Sequence, residues 1–103
     1  MPTELKAVQL QIDADPRLAA AAGGAAHYLA NSAGLESAGA RDLQSAVIAA
    51  CQNAFPDLAG NSSVLHVDLT QFSDRIEVAL YETPGTRAIT RLTKYTAPDR
   101  ANP

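Results

Sequence analysis

The sequence predicts an α+β domain with two layers, in which two helices pack on one face of a mostly antiparallel sheet. Apolar and polar residues alternate over 5–13 and again over 64–81, which is the two-residue period of strands with one buried face. Between these stretches, over 16–55, apolar residues recur at the spacing of amphipathic helices. With a further strand near the end of the chain, the order of elements is β-α-α-β-β-β.

Composition limits the size and the class of the protein. The chain has 103 residues, of which 47% are hydrophobic and 18% charged, so we expect a single domain over 1–103 with its core in 5–96. The net charge of −3 argues against a nucleic-acid partner. No apolar run is long enough to predict a membrane span. A single cysteine and the lack of a signal peptide favour a cytoplasmic protein.

The first strand and the start of the first helix have clear local signals. Val8, Leu10 and Ile12 alternate with polar residues, which predicts a half-buried strand over 5–13. The pair that follows, Asp15 and Pro16, is typical of a helix start: aspartate caps the free amide groups, and proline suits the first helical position.

Glycines and a proline mark the helical region. Gly23 and Gly24 lie inside the first helix, where each costs roughly 1 kcal/mol relative to alanine. They indicate either a weak helix that is stabilised by packing or a place where another backbone approaches closely. Gly34 is expected to close this helix, Ser37 to cap the second, and Pro56 to end it. The buried stripe of the second helix is expected to comprise Leu43, Val47, Ala50 and Ala54.

A β-hairpin follows the helices. A turn at 73–74 places Leu69 opposite Val78 and Val67 opposite Leu80, so that all four share one face. The helices are expected to cover this face of the sheet. The other face is expected to be open to solvent or to a partner.

The predicted open face of the hairpin carries His66, Asp68, Thr70, Glu77 and Tyr81. A fourth strand is indicated within 86–96, where β-branched and aromatic residues alternate with others. The last residues, 97–103, are expected to form a polar tail.

Few residues suggest chemistry. Cys51 could act as a nucleophile with His27 or His66, but no nucleophile motif surrounds it, and a small buried helical residue is the favoured interpretation. His66 and Asp68 lie two residues apart on one strand and could ligate a metal, but no third ligand is evident, so a solvated face is favoured. The sequence contains no P-loop, dinucleotide-binding glycine motif or cysteine-rich zinc motif.

One stretch of the chain resembles a known family. The second-helix region resembles that of the anti-sigma-factor serine kinases, which share an ATPase superfamily with gyrase, a heat-shock chaperone family, histidine kinases and mismatch-repair ATPases. The resemblance continues through the hairpin and the turn at 82–85 and covers 5–85, and it implies a shortened relative of that fold. The matching helix residues are Gly34, Leu35, Asp42, Leu43, Ala46, Val47, Ala50, Asn53 and Ala54.

The resemblance identifies two helix positions that carry the family's chemistry. In the family, a glutamate acts as general base, and an asparagine four residues later binds the magnesium that bridges the ATP phosphates. The spacing puts both side chains on one helix face. In this chain the glutamate position is Ala49, and Asn53 matches the asparagine. An alanine cannot accept a proton, so phosphoryl transfer is not expected, whereas Asn53 would be the metal-binding residue if Mg-ATP binds.

The turn after the hairpin also lacks residues that the family uses to bind ATP. The family's adenine-binding aspartate falls at Tyr81, and the first and second glycines of its motif fall at Thr83 and Gly85. Glu82 could substitute for the aspartate, but it points to the opposite strand face. The family's phosphate lid would follow, but 86–103 contains no glycine, so its phosphate-binding amides are missing.

Three functions follow as hypotheses. The first is a non-catalytic regulatory module that needs no cofactor and binds a protein, namely a sigma factor, an anti-sigma antagonist or a second copy of itself as a homodimer. The second is an active Mg-ATP-dependent serine kinase whose shifted site uses Asn53, Glu82 and Gly85. The third is an unrelated α+β domain that holds a ligand on its open sheet face, at His66, Asp68 and Tyr81.

Overall fold

The computed structural model describes residues 4–58, 64–83 and 87–96. It confirms the α+β class and the order β-α-α-β-β-β. Gly85 and the predicted tail at 97–103 lie outside the described residues. The elements are β1 (Glu4–Asp13), α1 (Pro16–Ser32), α2 (Ser37–Ala54), a single 3-10 turn (Phe55–Asp57), β2 (Val64–Phe72), β3 (Arg75–Tyr81) and β4 (Thr90–Tyr95).

The four strands form one antiparallel sheet in the order β1-β2-β3-β4. The predicted hairpin register is confirmed, with Val67 opposite Leu80 and Leu69 opposite Val78. The fourth strand is also confirmed: it spans Thr90–Tyr95 and pairs with β3. Both helices pack on the same face of the sheet, because β2 and β3 expose only one apolar face to be covered.

The core combines small helix residues with large strand residues. The buried face of α1 is mostly alanine, and the predicted buried stripe of α2 is confirmed. The bulk comes from the sheet, whose buried residues on the helix side are branched. Gln71 is the exception on this side, since it is only 5% exposed. The branched residues are Leu65, Val67, Leu69, Ile76, Val78 and Leu80.

The first helix begins and ends as the sequence predicts. The side chain of Asp15 accepts a hydrogen bond from the backbone N–H of Arg17 at 2.9 Å, and Pro16 is the first helical residue. Gly34 follows the helix with φ of +87°, a left-handed conformation that favours glycine. The amide of Leu35 then donates to the carbonyl of Ala30 at 3.0 Å, which completes a Schellman turn.

The predicted cap of the second helix is wrong. Glu36 occupies the cap position and makes no capping hydrogen bond with its side chain, while Ser37 is already helical. The reason is that the Schellman turn at Gly34 brings the chain directly into α2. At its other end, α2 stops at Ala54, and Pro56 lies within the 3-10 turn that follows.

The two helices cross closely at Gly23. A Cβ atom at this position would lie 2.5 Å from Cγ1 of Ile48 and 3.1 Å from the carbonyl oxygen of Gln44. A Cβ atom at Gly24 would meet nothing within 4 Å. The close-approach interpretation therefore holds for Gly23 alone. One turn later, Nδ1 of His27 lies 2.7 Å from Oε1 of Gln44, so a hydrogen bond joins the two helices beside the crossing.

Alanine substitutions at the two glycines are expected to have opposite effects. Gly24→Ala should raise the free energy of unfolding by about 0.5–1 kcal/mol, because alanine favours the helix and has room. Gly23→Ala should lower it by about 1–3 kcal/mol, because the methyl group forces Ile48 and the backbone of α2 away. Urea unfolding measures both, and equal effects of the two substitutions would contradict the close crossing.

Candidate functional site

The positions that the family resemblance assigns to catalysis lie on the outer surface of α2. Ala49 and Asn53 are both exposed and lie one helical turn apart. Glu82 follows β3 directly and is half-buried, so it belongs to the sheet layer rather than to the helix layer. The methyl group of Ala49 has no atom that could accept a proton. Gly85, the third residue of the hypothetical nucleotide site, lies outside the described residues.

The nucleophile candidates are separated by the fold. Cys51 is fully buried on α2, and burial raises the pKa of its thiol to about 11. His27 is engaged with Gln44 between the helices. His66 lies on the opposite side of the sheet, because its strand neighbours Leu65 and Val67 face the core. The favoured interpretation of Cys51 as a buried helical residue is confirmed.

The suggested metal pair lies on the open face of the sheet. His66 and Asp68 are half-buried neighbours on β2, two residues apart. Within residues 4–58, 64–83 and 87–96, no group of three or more histidine, cysteine or acidic side chains could hold a metal ion. Neither helix in those ranges is long and apolar enough to cross a membrane.

A row of residues crosses the open face from Gln9 on β1, which pairs with Asp68, to Arg91 on β4. Asp68 on β2 pairs with Ala79 on β3, and Ala79 pairs with Arg91 on β4. Ala79 is only 8% exposed because larger side chains surround it. The small alanine between taller neighbours leaves a shallow depression of about 270 Å³. Tyr81 also lines it, and the Tyr81 hydroxyl lies 3.4 Å from the guanidinium of Arg91.

A second group of charges on this face is bonded internally, with one arginine held by two carboxylates. The guanidinium of Arg75 bonds Glu77 at 2.6 Å and Asp74 at 2.8 Å, and it stacks on Phe72 at 4.3 Å from the ring centre. The hydrogen bond to Glu77 raises the pKa of Arg75, which keeps this group charged. On the other side of Arg75, Tyr95 of β4 is its strand partner and is 68% exposed.

Strand β1 forms a long free edge of the sheet, which the sequence analysis did not single out. Among the described residues it pairs with β2 on one side only, and all ten of its residues except Ile12 are exposed or half-buried. Two of the exposed large hydrophobic side chains lie beside this edge, namely Leu5 at 55% and Tyr28 at 60%. Lys6 bridges to α1, since its ammonium group bonds the hydroxyl of Ser32 and lies 5.3 Å from the ring centre of Tyr28.

Comparison of the chain with protein-family models and with curated proteins finds no match.

The thiol of Cys51 is expected to be inert in the folded protein. With a pKa of about 11, only about 0.1% of it is thiolate at pH 8. A thiol-reactive disulfide reagent at pH 8 should react at least about 100-fold more slowly with the folded chain than with the chain in urea. Equal rates in the two conditions would show that Cys51 is accessible and would reopen its interpretation as a nucleophile.

Proposed function

We propose that this chain is a non-catalytic protein-interaction module that takes an extended segment of a partner onto the edge of β1. The partner is a sigma factor or an anti-sigma antagonist, in keeping with the resemblance of residues 5–85 to the anti-sigma-factor kinases. Such a partner places the module in the cytoplasm. The observation that carries the proposal is the edge of β1, which is ten residues long and, within the part of the chain that the structure describes, pairs with another strand on one side only.

Backbone hydrogen bonds along β1 would drive the binding of the partner strand. Along a free edge, every second residue directs its N–H and C=O groups away from the sheet, where they can pair with another strand. Long edges in natural proteins are usually shortened, covered, or interrupted by proline, a bulge or a lysine. The pairing of β1 is irregular between Glu4 and Lys6, but 7–13 contains neither proline nor lysine. A fifth strand added here would extend the sheet in its own plane, as in known cases of β-augmentation.

The side chains of β1 indicate what the added segment must look like. Val8 and Leu10 lie on the helix side of the edge, where they are half-buried and pack against the core. A strand beside them would cover their remaining apolar surface with its own alternate residues. The partner segment is therefore extended, with apolar residues at every second position on the helix side.

Two features of α2 favour binding over catalysis. Ala49 stands at the general-base position of the related kinases, and Cys51 is buried with a raised pKa. The alternative function, an Mg-ATP-dependent serine kinase, would have to use Asn53 without a base on the same helix face.

Blocking the β1 edge is expected to abolish partner binding. Val8→Lys puts a charge where the added strand would bury apolar side chains, so the dissociation constant should rise at least tenfold. The matched control is Leu92→Lys, which places the same charge on the helix side of the other edge strand, β4, at a residue that is also half-buried. Calorimetric titration with purified sigma factors and anti-sigma antagonists from the same genome measures both.

The two lysine variants should lose similar stability, so thermal unfolding of each accompanies the titration. Equal weakening by Val8→Lys and Leu92→Lys would place the contact elsewhere. If the unsubstituted chain binds no member of the panel, the proposed class of partner is wrong.

Titration with Mg-ATP tests the kinase alternative. We expect no binding heat at high protein concentration, because Tyr81 stands at the position of the adenine-binding aspartate and 86–103 contains no glycine for a phosphate-binding loop. Asn53→Ala serves as the control, since a magnesium site that used this asparagine would lose affinity in the variant. Saturable heat that disappears in Asn53→Ala would support the kinase and contradict a purely non-catalytic module.

A further inference from the structure

We propose that the open face of the sheet is a self-complementary surface that takes a second copy of this chain, stacked face to face. The carrying observation is the row Asp68, Ala79 and Arg91, which places opposite charges on the two sides of a small central residue. This surface is distinct from the β1 edge and binds in a different direction. The inference therefore goes beyond the proposed function.

The geometry of the row follows from the strand register. Neighbouring strands lie about 4.8 Å apart, so Asp68 and Arg91 lie about 10 Å apart on either side of Ala79. Among the described residues, neither takes part in an ion pair, whereas Arg75 on the same face is paired twice. Asp68 and Arg91 are therefore a negative group and a positive group at equal distances from β3, each without an ion-pair partner among the described residues.

A two-fold axis that runs parallel to β3, midway between two stacked sheets, exchanges β2 with β4. It brings Asp68 of one copy opposite Arg91 of the other, twice by symmetry, and Ala79 opposite Ala79. The small side chains at the centre let the sheets approach. Packed sheets lie about 10 Å apart, a gap that an aspartate and an arginine reaching toward each other can bridge.

The same axis matches a second row. Phe72 and Tyr95 lie on opposite sides of Arg75, so the axis places the ring of Phe72 against the exposed ring of Tyr95 in the other copy. Arg75 and Glu77 lie on the axis and face their own counterparts. Each copy holds Arg75 bonded to both Glu77 and Asp74, so this group carries a net charge of −1 beside the axis, a repulsion that the two contacts of Asp68 with Arg91 have to exceed. An axis perpendicular to the strands would instead oppose Asp68 to Asp68, and charge repulsion disfavours it.

The area of the contact indicates which class of interface it would form. Strands β2, β3 and β4 overlap over roughly 14 Å by 23 Å, which is below the size of a standard interface. A weak, reversible dimer with a dissociation constant on the order of 100 µM is therefore expected.

Charge exchange between the copies tests the proposal. Asp68→Arg and Arg91→Asp should each raise the dissociation constant of the dimer at least tenfold, because each brings like charges together at two places. An equimolar mixture of the two variants should form a heterodimer, since the attraction is restored across the interface. Asp57→Arg, a reversal at an exposed residue of the 3-10 turn, should leave self-association unchanged. Sedimentation equilibrium over a range of concentrations measures all four.

A second variant keeps the proposal testable if Asp68→Arg fails to fold. Tyr95 is exposed on an edge strand, so Tyr95→Ala should keep the fold and still weaken the dimer, because Phe72 of the other copy loses its partner. The inference is overturned if the unsubstituted chain is monomeric at about 1 mM, or if the charge variants associate as it does and their mixture gains nothing. Val8→Lys should leave the dimer intact. Self-association that is lost in Val8→Lys but kept in Asp68→Arg would assign the dimer to the β1 edge and overturn the stacked arrangement.

Discussion

The close crossing of α1 and α2 at Gly23 is the constraint on which the rest of the domain depends. Four strands span roughly 15–20 Å, and two helices of about 10 Å diameter cover that width only when they lie side by side in contact. Small residues on the facing helix surfaces permit this contact, and the bond between His27 and Gln44 holds it. Because both helices pack on one face, no helix or strand among the described residues packs on the other face or pairs with the outer edge of β1.

Much of the sheet could be predicted because its signals are local and repetitive. Alternation fixes which side chains share a face, and a shift by one residue would expose every apolar residue of β2, so the register of the hairpin had one consistent solution. The cap of α2 could not be predicted in the same way. Ser37 is the better capping residue in isolation, but the Schellman turn at Gly34 sets where the helix begins, and Glu36 takes the cap position.

The candidate surfaces could likewise be predicted only in part. His66, Asp68 and Tyr81 could be assigned to the open face from alternation alone. Their neighbours across the sheet could not, because the pairing of Arg91 with Ala79 depends on how the chain passes through 82–89 before β4 begins. The edge position of β1 was not predicted for a similar reason. Strand order depends on the pairing of the whole sheet, so the sequence of β1 alone does not indicate that this strand lies at an edge.

The two proposed surfaces can be occupied at the same time, and together they predict the ratio of partner segments to copies of the chain. A strand added to β1 lengthens the sheet in its plane, whereas a second copy stacks perpendicular to that plane. A two-fold axis along β3 superimposes β2 on β4 and leaves β1 of each copy projecting beyond the edge of the other. The two β1 edges then lie on opposite sides of the dimer and are equally accessible. A dimer built through the row of Asp68, Ala79 and Arg91 would therefore bind two partner segments independently, so partner binding and self-association should neither compete nor require each other.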